Sequence, residues 1–226
     1  MYREIALPDI ASLLNLTSGF IAITFLTREN YILAAKFILL SGIFDGIDGL
    51  IARKISNRKE AKFGIELDSM ADLVSFGVVT ALFGWKITKN NYFLLISSIF
   101  LIAAILRLAR FNTKNPNEKG FKGLPTTSAG LLLSIYLVLF SNTINTILTT
   151  TLFLILSTLM VSKIKYPKFD DRVSWPLGIL MAFPVFLTGN YFGIFMSIIL
   201  GLLTGYIIIG PFFASSKIIE NLNHIT

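Results

Sequence analysis

Apolar segments long enough to cross a membrane occupy most of this chain and constrain its fold more than any other feature. Eight of them, about 15–23 residues long, are separated by short polar joints: 8–27, 31–52, 63–85, 92–111, 127–141, 145–161, 175–188 and 191–213. The core of a bilayer offers the backbone no hydrogen-bond partners, so a single spanning segment must be an α-helix. A mean hydropathy of +0.73 excludes a soluble globular domain. We therefore expect an all-α integral membrane protein, a polytopic helical bundle.

Six or seven spans are alternatives to eight, because the fifth and seventh segments are short for a bilayer about 30 Å thick. No repeat, low-complexity tract or long linker divides the sequence, so residues 1–226 are predicted to form a single membrane domain. No cleavable signal peptide is expected, because the first apolar segment lacks a basic region before it.

The distribution of basic residues predicts the orientation of the chain. Fifteen of the 20 Lys and Arg, counting Arg110 at the end of the fourth segment, lie in the amino-terminal tip, the joints after the second, fourth and sixth segments, and the carboxy-terminal tail. By the positive-inside rule, we expect a multi-pass protein of the cell membrane with both termini in the cytoplasm. The net charge of +7 is spread over membrane-edge loops. That spread favours anionic lipid head groups as partners and speaks against nucleic acid.

Four aspartates lie in the second and third apolar segments, where each uncompensated carboxylate costs about 2.5–3.5 kcal/mol. Asp45 and Asp48 are three residues apart, and Asp68 and Asp72 are four apart, so each pair shares a helix face. A bound divalent cation would convert the repulsion between these carboxylates into shared attraction. The sequence therefore predicts an all-oxygen site for Mg²⁺ or Mn²⁺ near the cytoplasmic leaflet.

Small residues occupy the same two helix faces as the aspartates, one turn away: Gly49, Ala52 and Gly64. They would let the helices approach closely, or leave room for a flat ligand beside the metal. The chain has no cysteine and one histidine, which lies in the tail, so nothing indicates a covalent nucleophile. We therefore expect metal-assisted chemistry on a phosphate group, with a carboxylate as the base.

Further polar residues lie in other apolar segments. Arg107 and Arg110 share a face at the end of the fourth segment. Arg110 can extend its charge to the membrane–water interface, which is sufficient to explain its position. Arg107 lies one turn deeper and needs an anion as a partner, such as a substrate carboxylate, a phosphate or an aspartate. Asn15 in the first segment is an amide that could hydrogen-bond across helices. In the joint at 121–128, glycine and proline are sufficient to explain a tight turn.

The run D-x2-D-G-x2-A-R…G-x3-D-x3-D, from Asp45 to Asp72, resembles the signature of the CDP-alcohol phosphatidyltransferases, membrane enzymes that make phospholipid head groups. The ten residues Lys54–Phe63 between its two halves are more than is usual in that family, and we interpret them as a longer surface loop. Segments between Asp9 and about Phe169 are similar to the branch of the family that uses serine as the acceptor: LLNLTSGF, FGIELDSMADLVSFGV, RLARFN, FKGLP and LMVSKIKYP.

The resemblance implies a six-helix catalytic core at 1–163 followed by two further helices at 175–213. It implies two metal ions, the first held by Asp45, Asp48 and Asp68 and the second by Asp45, Asp68 and Asp72. Asp72 would also be the general base that removes the serine hydroxyl proton, with CMP as the leaving group. A homodimer is common in the family.

The family pattern also assigns binding residues. The CDP group of the lipid substrate would lie against Asn15, Asp48, Gly49, Ala52, Arg53, Gly64 and Asp68. Arg107 and Arg110 would hold the serine carboxylate or the transferred phosphate. Diacylglycerol and isoprenoid-ether lipids stay equally open, because both present the same CDP head group.

Two alternative functions stay open from the sequence. The same chemistry with glycerol 3-phosphate or an inositol phosphate would need a cationic pocket, which Lys122 or Lys163 beside the two arginines could provide. A cation transporter would place the carboxylates near the bilayer midplane in discontinuous or repeated helices, and no inverted repeat is visible.

Overall fold

A computed structural model of the chain describes residues 6–54, 61–113, 121–167 and 171–223, and nearly all of them are helical. In chain order the elements are α1 (Leu7–Thr27), α2 (Tyr31–Lys54), α3 (Ala61–Asp72), a π-helical segment (Leu73–Val78), α4 (Val79–Thr88), α5 (Phe93–Asn112), β1 (Phe121–Lys122), α6 (Thr126–Leu139), α7 (Thr146–Val161), β2 (Lys165–Tyr166), α8 (Asp171–Phe186) and α9 (Gly189–Asn223).

The described helices form eight rods, because α3, the π-helical segment and α4 follow one another without a break. Each rod coincides with one of the eight predicted apolar segments. Four are long and apolar enough to cross a membrane: Leu7–Thr27, Lys62–Thr88, Phe93–Asn112 and Gly189–Phe213. Three shorter apolar helices lie at Thr126–Leu139, Thr146–Val161 and Trp175–Phe186. The predicted all-α polytopic membrane fold is confirmed, whereas the number of helices that cross the bilayer stays a prediction.

Phenylalanines fill the core between α4, α5 and α7. The ring centroid of Phe153 lies 5.1 Å from that of Phe93 and 5.2 Å from that of Phe100. All three side chains are fully buried. Gly84 of α4 is needed beside them, because a Cβ at this position would lie 2.5 Å from the Phe153 ring. Tightly packed aromatic pairs of this kind contribute about 0.5–1.5 kcal/mol each beyond their buried area.

Short polar contacts fix α1 against α2 and the π-helical segment. The backbone carbonyl of Asn15 accepts hydrogen bonds from Ser41 Oγ at 3.1 Å and from Ser75 Oγ at 3.0 Å. Gly19, one turn further along α1, packs directly on the backbone and side chain of Ser75, and no Cβ would fit there. These contacts set the distance between the helices that carry the aspartates.

The π-helical segment separates the aspartates of α3 from the packing surface of α4. Thr80, two residues beyond it, hydrogen-bonds to the Gly130 carbonyl at 3.3 Å and lies 3.1 Å from Ser134 Oγ. Gly130 in turn packs against the backbone of Phe76. One rod therefore presents acids to α2 and a buried hydroxyl to α6.

Two short strands connect the joint before α6 with the joint after α7. β1 and β2 pair antiparallel, with Tyr166 opposite Phe121, and burial raises the pKa of the Tyr166 hydroxyl. Gly123 follows β1 with φ of +85°, and its N–H donates to the Ile164 carbonyl at 2.8 Å. A Cβ there would overlap the Met160 carbonyl, so the expected tight turn depends on this glycine. The turn fixes where α6 begins.

Candidate active site

Three aspartates converge between α2 and α3. Asp45, Asp68 and Asp72 each place one carboxylate oxygen within 4.8 Å of the other two. Asp68 Oδ1 is buried and has no hydrogen-bond partner among the described residues. Carboxylates this close repel one another unless a cation lies between them, and hard oxygen donors suit Mg²⁺ or Mn²⁺. The convergence and the unpartnered oxygen together fit a divalent ion.

Asp72 is held by a donor on each carboxylate oxygen. Asn15 Nδ2 donates to Oδ1 at 3.1 Å, and Thr127 Oγ1 donates to Oδ2 at 3.3 Å. Asn15 is fully buried, and its backbone carbonyl accepts hydrogen bonds from two serines of neighbouring helices. The orientation of Asp72 is therefore determined by α1 and α6, and not by its own helix alone.

Asp48 lies beside the three converging aspartates and is held from α1. Ser12 Oγ donates to Asp48 Oδ2, and the Asp48 carboxylate also interacts with that of Asp68. The four predicted acids therefore form one cluster, in which Asp48 and Asp72 are buried and Asp45 and Asp68 are half-buried. How they are divided between one or two metal ions stays a prediction.

A polar bridge fixes α3 against α5 next to the acids. Asn112 Nδ2 donates to Glu66 Oε2 at 2.9 Å, and Ser69 Oγ donates to Asn112 Oδ1 at 2.9 Å. Asn112 thus contacts residues on either side of Asp68 in the sequence. This bridge resists rotation of the helix that carries two of the acids.

The small residues near the acids leave open space. No atom would lie within 4 Å of a Cβ built on Gly46 or Gly49, and both residues line the cavity into which the aspartates open. Gly64 is buried. The side chains of Ala52 and Arg53 lie outside the described part of the structure, so their contacts with the CDP group stay predictions.

The aspartates open into a cavity of about 520 Å³. Its polar lining includes Asp45, Asp68, Asp72, Arg107, Thr127 and Tyr206. The last two helices contribute apolar lining, including Trp175, Ile179, Met181, Ile199, Leu202 and Leu203. A cavity with acids, one arginine and a hydrocarbon wall suits an amphiphilic ligand with a charged head.

The two arginines of α5 have different surroundings. Arg107 is only 7% exposed, lines the cavity, and lies with its guanidinium carbon 5.4 Å from the Phe111 ring centroid. Its charge interacts with Asp72, Asp45 and Asp68. Arg110 instead donates from Nη1 to the Ser162 carbonyl at 3.0 Å, and it is not among the cavity residues. The structure therefore brings Arg107 to the acids, whereas a ligand-binding role for Arg110 stays a prediction.

Three polar contacts of the site were not identified from the sequence. Ser12 and Thr127 reach acids on other helices, and Tyr206 enters the cavity from α9. Glycine and proline in the joint before α6 indicate only a turn, although a threonine at the start of a buried helix is a donor that needs a partner. No local signal distinguishes Tyr206 from the other aromatic residues of α9.

Comparison with known proteins gives a consistent result. A family model described as CDP-alcohol phosphatidyltransferase matches residues 5–164, a region with all four aspartates that ends before α8. A CDP-diacylglycerol–serine O-phosphatidyltransferase of Methanocaldococcus jannaschii is 39% identical over 172 residues, which are 76% of this chain and 78% of the relative. An archaetidylserine synthase of Methanothermobacter thermautotrophicus is 34% identical, over 74% and 71% of the two chains. A Helicobacter pylori CDP-diacylglycerol–serine O-phosphatidyltransferase is 32% identical over 96% of this chain and 95% of its own.

Proposed function

Because this chain belongs to the CDP-alcohol phosphatidyltransferase family, we propose that it is a member that uses L-serine as the acceptor. It transfers the phosphatidyl or archaetidyl group of a CDP-linked lipid to the serine hydroxyl and releases CMP. The names of the three relatives support this acceptor. The observation that carries the proposal is the convergence of three carboxylates beside a buried arginine, in a cavity whose other wall is apolar.

Asp45, Asp68 and Asp72 are the residues that would hold Mg²⁺ or Mn²⁺, and Asp48 is the fourth acid available for a second ion. The bound ion would neutralise charge on the pyrophosphate of the CDP group. The unpartnered Asp68 oxygen and the purely carboxylate donor set support this assignment.

Asp72 acts as the general base. Asn15 and Thr127 orient its carboxylate, which accepts the proton of the serine hydroxyl. The serine oxygen forms a bond to the lipid-side phosphorus, and the bond from that phosphorus to the CMP oxygen breaks. The lipid phosphate is thereby transferred to serine, and CMP leaves with the other phosphate.

Arg107 binds the serine carboxylate, and the apolar wall from α8 and α9 accommodates the lipid chains. Open space at Gly46 and Gly49 accommodates part of the CDP group.

The charge of the cavity supports serine over a phosphorylated alcohol. Among the described lining residues, Arg107 is the cationic one. Lys122 and Lys163 are exposed and do not line the cavity. One guanidinium matches one carboxylate, whereas a phosphate with two charges would need further cations.

The family resemblance and the distribution of basic residues extend the proposal to its setting. The protein would lie in the cell membrane with both termini and the acids on the cytoplasmic side, where soluble serine is available. Residues 1–163 would form the catalytic core, α8 and α9 would complete it, and two copies of the chain would form a homodimer.

CMP release from purified protein tests the proposal. CDP-lipid and Mn²⁺ or Mg²⁺ are supplied with L-serine, glycerol 3-phosphate, an inositol phosphate or no acceptor. We expect release with serine alone, loss of that release in Asp72→Asn, and retention in Glu29→Gln, whose exposed carboxylate lies 4.0 Å from Lys86. Release with a phosphorylated alcohol but not with serine would refute the acceptor assignment.

A further inference from the structure

Asn112 joins the end of α5 to the turn of α3 that carries Asp68. It is the last residue of the RLARFN segment, and the proposed reaction assigns it no part. Its Nδ2 donates to Glu66 Oε2 at 2.9 Å, and its Oδ1 accepts from Ser69 Oγ at 2.9 Å. Because both ends of the amide have a partner, α3 is attached to α5 at two points and cannot pivot about a single bond.

Asp68 depends on this attachment more than Asp72 does. Asp72 is the last residue of α3, and its carboxylate accepts hydrogen bonds from Asn15 and Thr127. Asp68 Oδ1 is buried and has no hydrogen-bond partner among the residues that the structure describes. The position of this oxygen therefore follows the rotation of α3 about its axis.

A small rotation of α3 would be enough to displace a metal ligand. Glu66 and Ser69 are three residues apart and share a face of the helix, and Asp68 lies about 100° from Ser69 around the axis. Atoms at the surface of a helix lie about 5–6 Å from its axis, so a rotation of about 10° moves them by about 1 Å. Ligand distances in metal sites are held to about 0.2 Å. A bridge on the neighbouring face that prevents such a rotation thus protects the site.

We propose that Asn112 is a positioning residue, which keeps the Asp68 carboxylate directed at the metal ion shared by the three converging aspartates. The inference rests on the proposed function, in which these acids hold Mg²⁺ or Mn²⁺. Asn112 supplies no ligand and acts through the two residues of α3 that it contacts. Without its amide, the turn that carries Asp68 rotates more freely, and the ion is bound more weakly.

Mn²⁺ titration of the purified protein, followed by electron paramagnetic resonance, tests this inference without turnover. Asn112→Ala removes both hydrogen bonds to α3. We expect the Kd for Mn²⁺ to rise about threefold to tenfold, below the roughly 10–100-fold loss typical of residues that bond directly to a metal ligand. Ser69→Ala removes one of the two bonds and should give a smaller rise.

Two further variants separate position from charge. Glu66→Gln keeps an acceptor oxygen for Asn112 and removes the carboxylate charge, so the Kd for Mn²⁺ should stay within about twofold of wild type. The double variant Asn112→Ala/Ser69→Ala should bind Mn²⁺ as well as Asn112→Ala alone, because the bond between the two residues is already lost. A Kd raised by Glu66→Gln as much as by Asn112→Ala, or single effects that multiply in the double variant, would overturn the inference.

Asn145→Ala is the matched control for a merely structural loss. Asn145 Oδ1 caps α7 by accepting from the Leu148 N–H at 3.1 Å, so its removal weakens a helix end without touching α3. Wild-type affinity in Asn112→Ala, or equal weakening in Asn145→Ala, would overturn the inference alone. If Asn112→Ala yields no folded protein, Ser69→Ala decides, and an unchanged Kd overturns the inference. Wild-type protein that binds no Mn²⁺ would overturn the metal assignment and the inference together.

Discussion

The hydroxyl of Thr127 offers a sharp test of how Asp72 is oriented. Thr127→Val replaces the hydroxyl by a methyl group of similar size, so the helix start and its packing are retained. Asp72 Oδ2 loses the bond at 3.3 Å, while Oδ1 keeps the bond from Asn15 at 3.1 Å. The carboxylate therefore stays in the cluster but is less well fixed.

The magnitude follows from the kind of bond removed. Hydrogen bonds to charged groups contribute about 1.5–3 kcal/mol, and the length of this one places it at or below the lower limit. A loss of about 1.4 kcal/mol in the transition state corresponds to about a tenfold fall in kcat. Thr127→Ser keeps the donor and should stay within about twofold of wild type.

Steady-state CMP release with saturating serine and CDP-lipid measures this effect, and thermal unfolding in detergent reports the fold. Thr24→Val is a matched control, because Thr24 is half-buried and its hydroxyl bonds only to the Ile21 carbonyl of its own helix among the contacts described. The reasoning is refuted if Thr127→Val retains wild-type kcat, or if Thr127→Ser loses as much activity as the valine variant.

Two other changes test separate parts of the structure. Asp68→Asn should weaken Mn²⁺ binding at least about tenfold, because it removes a charged ligand whose Oδ1 has no other described partner. Mn²⁺ titration followed by electron paramagnetic resonance measures the affinity, and an unchanged affinity would contradict the metal assignment. Gly19→Ala should destabilise the protein by about 1–3 kcal/mol, because its Cβ would overlap Ser75. Gly193→Ala places its Cβ in open space and should leave stability unchanged. Unfolding in detergent compares the two variants, and equal stability would contradict the close approach of α1 to Ser75.

Features that depend on the local sequence could be predicted from it. Apolar length predicted the eight rods, and helical spacing predicted that Asp68 and Asp72 share a face. That these acids would meet Asp45 followed from the cost of isolated carboxylates in an apolar setting. Each of these arguments needs only neighbouring residues and the properties of the bilayer.

Contacts between distant rods could not be predicted in this way. Thr127 donates a hydrogen bond to Asp72, 55 residues earlier, and Arg110 donates one to the Ser162 carbonyl, 52 residues later. Both contacts depend on how far each helix is rotated about its axis, which the hydrophobic pattern leaves undetermined because these helices are apolar on nearly every face. The π-helical segment at Leu73–Val78 contains no proline, and its single glycine does not distinguish a π-turn from an ordinary α-helix.

That π-helical segment has a consequence for how the rod tolerates changes in length. A π-turn accommodates one residue more than an α-turn, so removal of one residue from Leu73–Val78 could restore a continuous α-helix. Everything beyond it would then keep its orientation, because a π-turn takes one residue more than an α-turn to complete the same rotation. Thr80 would still face the Gly130 carbonyl, and Asp68 and Asp72 would keep their places. The extra residue is therefore absorbed within the π-turn, so that the half of the rod that holds the acids and the half that packs the bundle keep the same relative orientation with or without it.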